Sequence, residues 1–314
     1  MVQHVSASER GARRIRAPRF ALAIPAWIWF VFFFTIPVLW IVYYSFGYKP
    51  SIFHPIATDK LSLAQYRDAL SVKEPFRHVF SQTLQISILG TLICLLIGFP
   101  FAYWLATRVS ARWRSFLLGL VIVPFFVNFL IRTIGWYILL SPAGPLSSLL
   151  QHWGLRSEPL HLLQTRGAVQ IGVVYNYLAL MIFPLFVSLD RLDPAMREAS
   201  KDLGASRWKT FRQVTVPLAS PGIIAGLLLV FIPLSGDYIT ATVLGGAKGN
   251  MAGALVASQF QVAQNWALGA AQAVILIAMI MGTVAVFALL GLAIRTTARA
   301  SRRITLPPIL EGTA

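Results

Sequence analysis

Two ionisable side chains stand inside otherwise apolar stretches of this chain, and they are its first candidates for chemistry. Asp237 lies in Ser235-Gly236-Asp237-Tyr238-Ile239-Thr240, and Arg132 lies in Asn128-Phe129-Leu130-Ile131-Arg132-Thr133-Ile134-Gly135-Trp136. A carboxylate in such a setting can bind a cation or carry a proton, and a guanidinium can neutralise it. Trp136 and Tyr238 stand close by in sequence and offer ring faces that attract cations. Other chemistry is poorly supplied. Cys94 is the single cysteine, so no intrachain disulfide is possible and no cysteine-based metal site is suggested. The five histidines are scattered, with His161 typical of a surface residue, and they suggest no metal site. Gly245-Gly246-Ala247-Lys248-Gly249-Asn250 lacks the spacing of a P-loop and the Ser or Thr after the lysine. No nucleophile motif or carboxylate pair points to an enzyme. If ATP drives this protein, another chain must bind it, and no cofactor is expected here.

The elements that must hold these residues are membrane spans. The chain has 314 residues, 57% hydrophobic and 12% charged, with mean hydropathy +0.68, a composition of integral membrane proteins rather than soluble domains. The net charge of +16 would suggest nucleic acid in a soluble protein; here it is concentrated in loops and tails, where topology explains it. Six apolar runs each reach about the 20 residues needed to cross a bilayer: Phe20 to Tyr44, Thr83 to Thr107, Ser115 to Leu140, Ala168 to Leu189, Leu218 to Leu244, and Leu268 to Ile294. The first exceeds a signal-peptide core and lacks a cleavage site, so it reads as a retained span with aromatic ends. No internal repeat or low-complexity tract is evident.

The organisation follows: a basic tail (1–19), a first span (20–46), an outer segment (47–82), a five-helix core (83–295) and a second tail (296–314). Within the outer segment Leu63, Tyr66 and Leu70 fall at helical spacing and are expected to pack down on the spans. Leu146 to Trp153 is expected as a short interfacial helix after Pro142, Gly144 and Pro145. Lys and Arg concentrate in the two tails, around Arg108, Arg112 and Arg114, and in the loop 191–217; the positive-inside rule then places both termini and that loop in the cytoplasm. Arg132 and Asp237 fall about 17–19 residues beyond the inner ends of their spans, or about 26–29 Å across. At that depth both can reach interfacial water, or they can pair and close the outer end. In the fifth span Gly222 and Gly226 form a small-residue packing motif. Pro233 should break or kink that span, which makes Pro233 to Thr240 the expected stretch of translocation path.

The loop between the fourth and fifth spans is the most polar segment of the core. Asp193 can cap a helix whose first residue is Pro194, and Ala195 to Leu203 are good helix formers apart from Ser200 and Asp202. Gly204 is suited to a left-handed stop. Ser206 can cap a second helix carrying Trp208, Phe211 and Val214, before Pro217. A helix–turn–helix with Arg207, Lys209 and Arg212 could read DNA, but stitched to spans at both ends it is better shaped to meet a protein at the membrane surface.

Glu198-Ala199-Ser200, then Gly204, then Val214-Thr215-Val216-Pro217 resembles the E-A-A-x3-G-x9-I-x-L-P loop of binding-protein-dependent ABC importer permeases. Ser200, Val214 and Val216 are the departures, all close in size to the family residues. Asn128-x-Leu130-Ile131-Arg132-Thr133-x-x-Trp136 and Gly236-Asp237-Tyr238-Ile239-Thr240-x-x-x-Leu244-Gly245-Gly246 are similar to segments of the spermidine/putrescine branch. The resemblance covers roughly Thr83 to Arg295. It implies an all-α, type I importer permease with six transmembrane helices in the bacterial inner membrane. It also implies a second permease subunit, a cytoplasmic ATPase dimer carrying ATP-Mg, and a periplasmic substrate-binding protein. Glu198, Ala199, Ser200 and Gly204 would dock the ATPase, while Arg132, Trp136, Asp237 and Tyr238 would line the path or outer gate. The rivals are an importer permease for another small solute, an ion-gradient-driven transporter using Asp237, and a receptor or scaffold without transport activity.

Overall fold

The computed structural model describes residues 19–71 and 76–300. The tail 1–18, Lys73 and residues 301–314 fall outside the described residues, and with them most of the two expected tails. Among the described residues the secondary structure is helical, with one isolated bridge between Tyr48 and Ala57.

Helix α1 runs from Arg19 to Tyr44 as Arg19–Phe30, a π-turn Val31–Thr35, and Ile36–Tyr44. Helix α2 is Ala64–Leu70, α3 Phe76–Arg108, α4 Ala111–Phe126, α5 Phe129–Leu140, α6 Pro145–His152, and α7 Arg166–Asp190. Helix α8 is Pro194–Asp202, α9 the run Arg207–Ser235, α10 Ala252–Gln261 and α11 Trp266–Ala300. Among the described residues five helices are long and apolar enough to cross a membrane unbroken: α1, α3, α7, α9 and α11. The sixth expected span is a bent pair. Helix α4 and the helical run behind it meet at a turn of 90°. Val127 is extended and Asn128 also leaves the helical region, with ψ 135°, and Asn128 caps α5 by accepting from the Leu130 and Ile131 amides at 2.8 and 3.4 Å. Pro124 and a capping Asn four residues on are the sequence signals for this break.

The core is a trio. Among the described residues the α3–α7 and α7–α9 pairs make the densest contacts, α9 also packs on α3, and α5 leans on α7. Cys94, Leu105, Val173, Met181, Leu185, Val230 and Leu234 are buried between them. Lipid tails are as apolar as leucine, so burial against lipid supplies no driving force, and close contact must do the work through dispersion and small residues. The two glycines of α9 supply that contact. A Cβ at Gly226 would lie 2.7 Å from Met181 Sδ, and one at Gly222 would press on the Pro184 carbonyl and Ser188 of α7. Helix α1 is set apart: none of its span window is buried, and it rests against α11.

Several expectations shift. Helix α9 does not begin at Leu218; the short helix opening at Arg207 runs unbroken into the span. The π-turn Phe211–Thr215 joins them, with the Val216 amide donating to Phe211 O. Pro217 follows directly, so the wide turn absorbs a residue that has no amide proton to give. Helix α1 repeats the device, with Ile36 donating to Val31 O ahead of Pro37. At its other end α9 passes through Pro233 and stops at Ser235, capped by Gly236, rather than continuing to Leu244. In α2 Tyr66 packs as expected, its hydroxyl 2.6 Å from Ser45 Oγ, and Ala69 is buried, but Leu63 and Leu70 are exposed. The buried stripe is the i, i+3 pair Tyr66 and Ala69. Helix α6 stands where the interfacial helix was expected.

Gly226→Leu should overpack the α7–α9 seam and cost about 1–3 kcal/mol. A denaturant titration of the detergent-solubilised chain reads this as an earlier midpoint. Gly119→Leu is the control, since a Cβ there meets nothing and the midpoint should hold.

Candidate functional site

Two sites stand at opposite ends of α9. The first is the loop around α8. Asp193 Oδ1 accepts from the Ala195 amide at 2.9 Å and Pro194 opens the helix. The chain then turns at Gly204, with φ +80°, a conformation that strains any residue with a Cβ. Ser206 Oγ accepts from the Lys209 amide at 3.3 Å and starts α9. Ser200 Oγ lies 3.1 Å from Thr210 Oγ1, tying α8 to α9. Phe211 meets Phe99 and Tyr103 of α3 edge-on at 5.7 and 5.9 Å, and Trp208 stacks on Phe211 at 5.5 Å. The short helices are therefore held against the ends of two spans.

Helix α8 has two opposed faces. At about 100° per residue, positions 194, 197, 198 and 201 share one side, and 196, 199 and 203 share the other. Pro194, Arg197, Glu198 and Lys201 line a cleft against α3. Met196, Ala199 and Leu203 face away, with Met196 52% and Leu203 89% exposed, and Trp208 on the next helix is 69% exposed. So many exposed apolar side chains on so short a polar segment mark a contact surface. The four expected docking residues divide: Ala199 belongs to the exposed apolar face, Glu198 is exposed but faces the cleft, Ser200 fastens the two helices, and Gly204 makes the turn.

The second site is a polar knot where α9 ends. Asp237 is buried, and its Oδ1 accepts from the Thr240 amide at 2.9 Å, capping the short turn that follows. Asn176 of α7, also buried, donates to Thr133 Oγ1 of α5 at 3.2 Å and to Thr240 Oγ1 at 3.4 Å. Tyr177 donates to the Pro233 carbonyl at 3.4 Å, beside Asp237. Three strands of chain from different parts of the sequence are thereby joined in one hydrogen-bonded cluster. Asp237 Oδ2 and Asn176 Oδ1 are buried without a hydrogen-bond partner. An unpaired buried acceptor carries a desolvation cost, and two of them together favour a visiting donor.

The expected outer-gate residues are placed differently from one another. Arg132 and Asp237 form no ion pair; among the described residues the ion pair is Arg114 with Asp190. The Arg132 guanidinium instead sits over the rings of Phe125 at 5.7 Å and Phe129 at 5.5 Å, one on each side of the α4–α5 break, where it clamps the bend. Trp136 meets Tyr175 edge-on at 5.3 Å, and Tyr238 is exposed. Asn176, Tyr177 and Thr133 were missed as site residues, while Thr240 closes the stretch expected as translocation path. Asn176, a lone amide in the apolar run Val173-Val174-Tyr175-Asn176-Tyr177-Leu178, was the available signal.

Over residues 98–298 the chain matches the family described as binding-protein-dependent transport system inner membrane component. It is 38% identical over 244 residues to the spermidine/putrescine transport system permease protein PotB of Haemophilus influenzae, covering 77% of this chain and 83% of that one. The Escherichia coli PotB is 41% identical over 198 residues, covering 63% and 72%. An Escherichia coli inner membrane ABC transporter permease protein, YdcU, is 31% identical over 269 residues, covering 80% and 83%. Among solved structures, a bacterial ABC transporter involved in import of the acidic polysaccharide alginate superposes with a TM-score of 0.70 at 18% identity, covering 91% of this chain and 96% of that one. That likeness is one of fold.

Gly204→Ala adds no clash, so its effect should be conformational alone, about 1–2 kcal/mol. Amide exchange across residues 194–202 should quicken severalfold in Gly204→Ala and in Thr210→Val, which breaks the bond to Ser200. Unchanged exchange in both would mean that the turn and the tie do not position α8.

Proposed function

The chain belongs to the family of binding-protein-dependent transport system inner membrane components, and we propose that it forms one half of the pore of an ATP-driven importer for polyamines of the spermidine and putrescine class. It is a multi-pass inner-membrane permease subunit of an ABC importer, a transport component rather than an enzyme. The polyamine reading rests on one observation above the others: relatives named for spermidine and putrescine transport match at 38% identity across 83% of their length. The termini and the α8 loop face the cytoplasm in this reading, in keeping with the positive-inside bias.

The division of labour follows from the two sites. A cytoplasmic ATPase dimer, which holds ATP-Mg, receives the apolar face of α8, with Met196, Ala199 and Leu203 entering a groove as an amphipathic helix does. A second permease subunit completes the pore, and a periplasmic binding protein delivers the solute; the alginate importer has been crystallised with its own periplasmic protein. When the ATPases close, α8 moves, and because α9 is one helix from Arg207 to Ser235 the displacement reaches the knot at its far end. There Asp237 Oδ2 and Asn176 Oδ1 are free acceptors for a passing ammonium group, with Trp136 and Tyr238 offering ring faces near by. Arg132 stiffens the bend beside this path rather than binding the cation.

Two measurements test the reading. Leu203→Glu should abolish copurification of a P-loop ATPase with the tagged chain in mild detergent, and Glu198→Arg should weaken it less; retention by Leu203→Glu would remove the apolar face from the docking surface. In proteoliposomes holding the assembled importer, labelled spermidine should accumulate only with internal ATP. Asp237→Asn should lower that uptake about tenfold, the loss of roughly one charge-assisted hydrogen bond, while the ATPase stays bound. Uptake of another solute in place of spermidine and putrescine would overturn the polyamine assignment and leave the family untouched.

A further inference from the structure

We propose that the cleft between α8 and the end of α3 is a binding site for a phosphate-bearing anion at the membrane surface. The cleft has a volume of about 350 Å³, against a share of about 30 Å³ for one liquid water. Four cations from three elements converge on it: Arg108, the last residue of α3; Arg197 and Lys201 of α8; and Arg207, the first residue of α9. Glu198 is the one carboxylate among the lining residues. Among the described residues none of the four cations forms an ion pair or a side-chain hydrogen bond, although the same end of the molecule pairs Arg114 with Asp190. Four positive charges around one concavity repel one another, an effect that water screens at the exposed Arg108, Lys201 and Arg207 and that an anion in the cleft would reverse. A single carboxylate leaves the balance strongly positive.

The level of the cleft indicates the kind of anion. Arg108 closes the crossing run Phe76–Arg108 and Arg207 opens the crossing run Arg207–Ser235. Arg108 therefore lies where α3 leaves the apolar layer, near the plane of lipid phosphates, and Arg197, Lys201 and Arg207 gather beside it from the loop side. Tyr103 and Phe211 form an aromatic floor. Guanidinium and ammonium groups in this arrangement suit a phosphate better than a lone carboxylate, because several donors can share its oxygens. The opposite side of α8, with Met196, Ala199 and Leu203, stays free, so the site and the apolar face can be occupied together. An anion in the cleft bridges α3, α8 and α9 and stiffens the seat of α8.

The test uses the assembled importer in nanodiscs and reads amide exchange across residues 194–202 of this chain. The bilayer is phosphatidylcholine alone, phosphatidylcholine with phosphatidylglycerol, or phosphatidylcholine with inorganic phosphate in the buffer. Slowed exchange with phosphatidylglycerol only assigns a lipid headgroup; slowed exchange with inorganic phosphate as well assigns the free ion. In either case Arg108→Gln and Lys201→Gln should each raise the anion concentration needed by about tenfold, and Arg108→Lys should largely restore the response. Copurification of the ATPase should persist in both variants, which separates a failed anion site from a failed docking face. Exchange that ignores both anions, or that responds equally in wild type and variants, overturns the proposal.

Discussion

Inside a bilayer a helix must satisfy its own backbone, because no water is present to accept or donate in its place. Pro217 has no amide proton, and it lies near the point where the α8 loop joins a span. The π-turn Phe211–Thr215 answers this demand by widening one turn ahead of the proline. Continuity of α9 depends on that accommodation. A helix broken at Pro217 would leave α8 on a hinge; the unbroken one makes a rod of 29 residues, about 43 Å long. Its ends carry the two sites. Between them Gly222 and Gly226 press the rod against α7, which also supplies Asn176 and Tyr177 to the knot.

Helix α8 shows how nine residues can serve two neighbours. Its charged face meets α3 of its own chain and its apolar face is exposed. The inversion is unusual for a surface helix, where the apolar stripe normally turns inward, and it signals a partner on the outside. Asp193, Gly204 and Ser206 set the two ends of this unit through caps and one left-handed residue, and the Ser200–Thr210 contact fixes its angle.

Local features were legible before any coordinates. Asp193, Pro194, Gly204 and Ser206 act through backbone groups within a few residues, so their types alone announce the helix ends. Spans were legible for a similar reason, since hydropathy over about 20 residues is a property of the segment itself. What escaped depends on contacts between distant segments or on competing local signals. The break at Asn128 was hidden by continuous apolarity, with the cap residue read as part of a span. Asp237 and Arg132 drew attention as charges, yet Arg132 found its partners in two phenylalanines and Asp237 found the Thr240 amide. The partners of the knot come from α5 and α7, and no spacing rule links Thr133, Asn176 and Thr240 along the chain.

The π-turn also sets an angular phase. One residue advances a helix by about 100°, so the extra residue in Phe211–Thr215 determines the direction in which every later side chain of α9 points relative to the α8 loop. The wide turn takes up that residue: the Val216 amide stands over Phe211 O, and Gly222 and Gly226 stay on the α7 seam. Winding the same residues as regular α-helix would rotate both glycines off the seam by about that angle. The winding of this stretch is therefore constrained more tightly than its composition. Side chains in it can be exchanged for others of similar size, but a tighter turn of the same length would put the two halves of the rod out of phase.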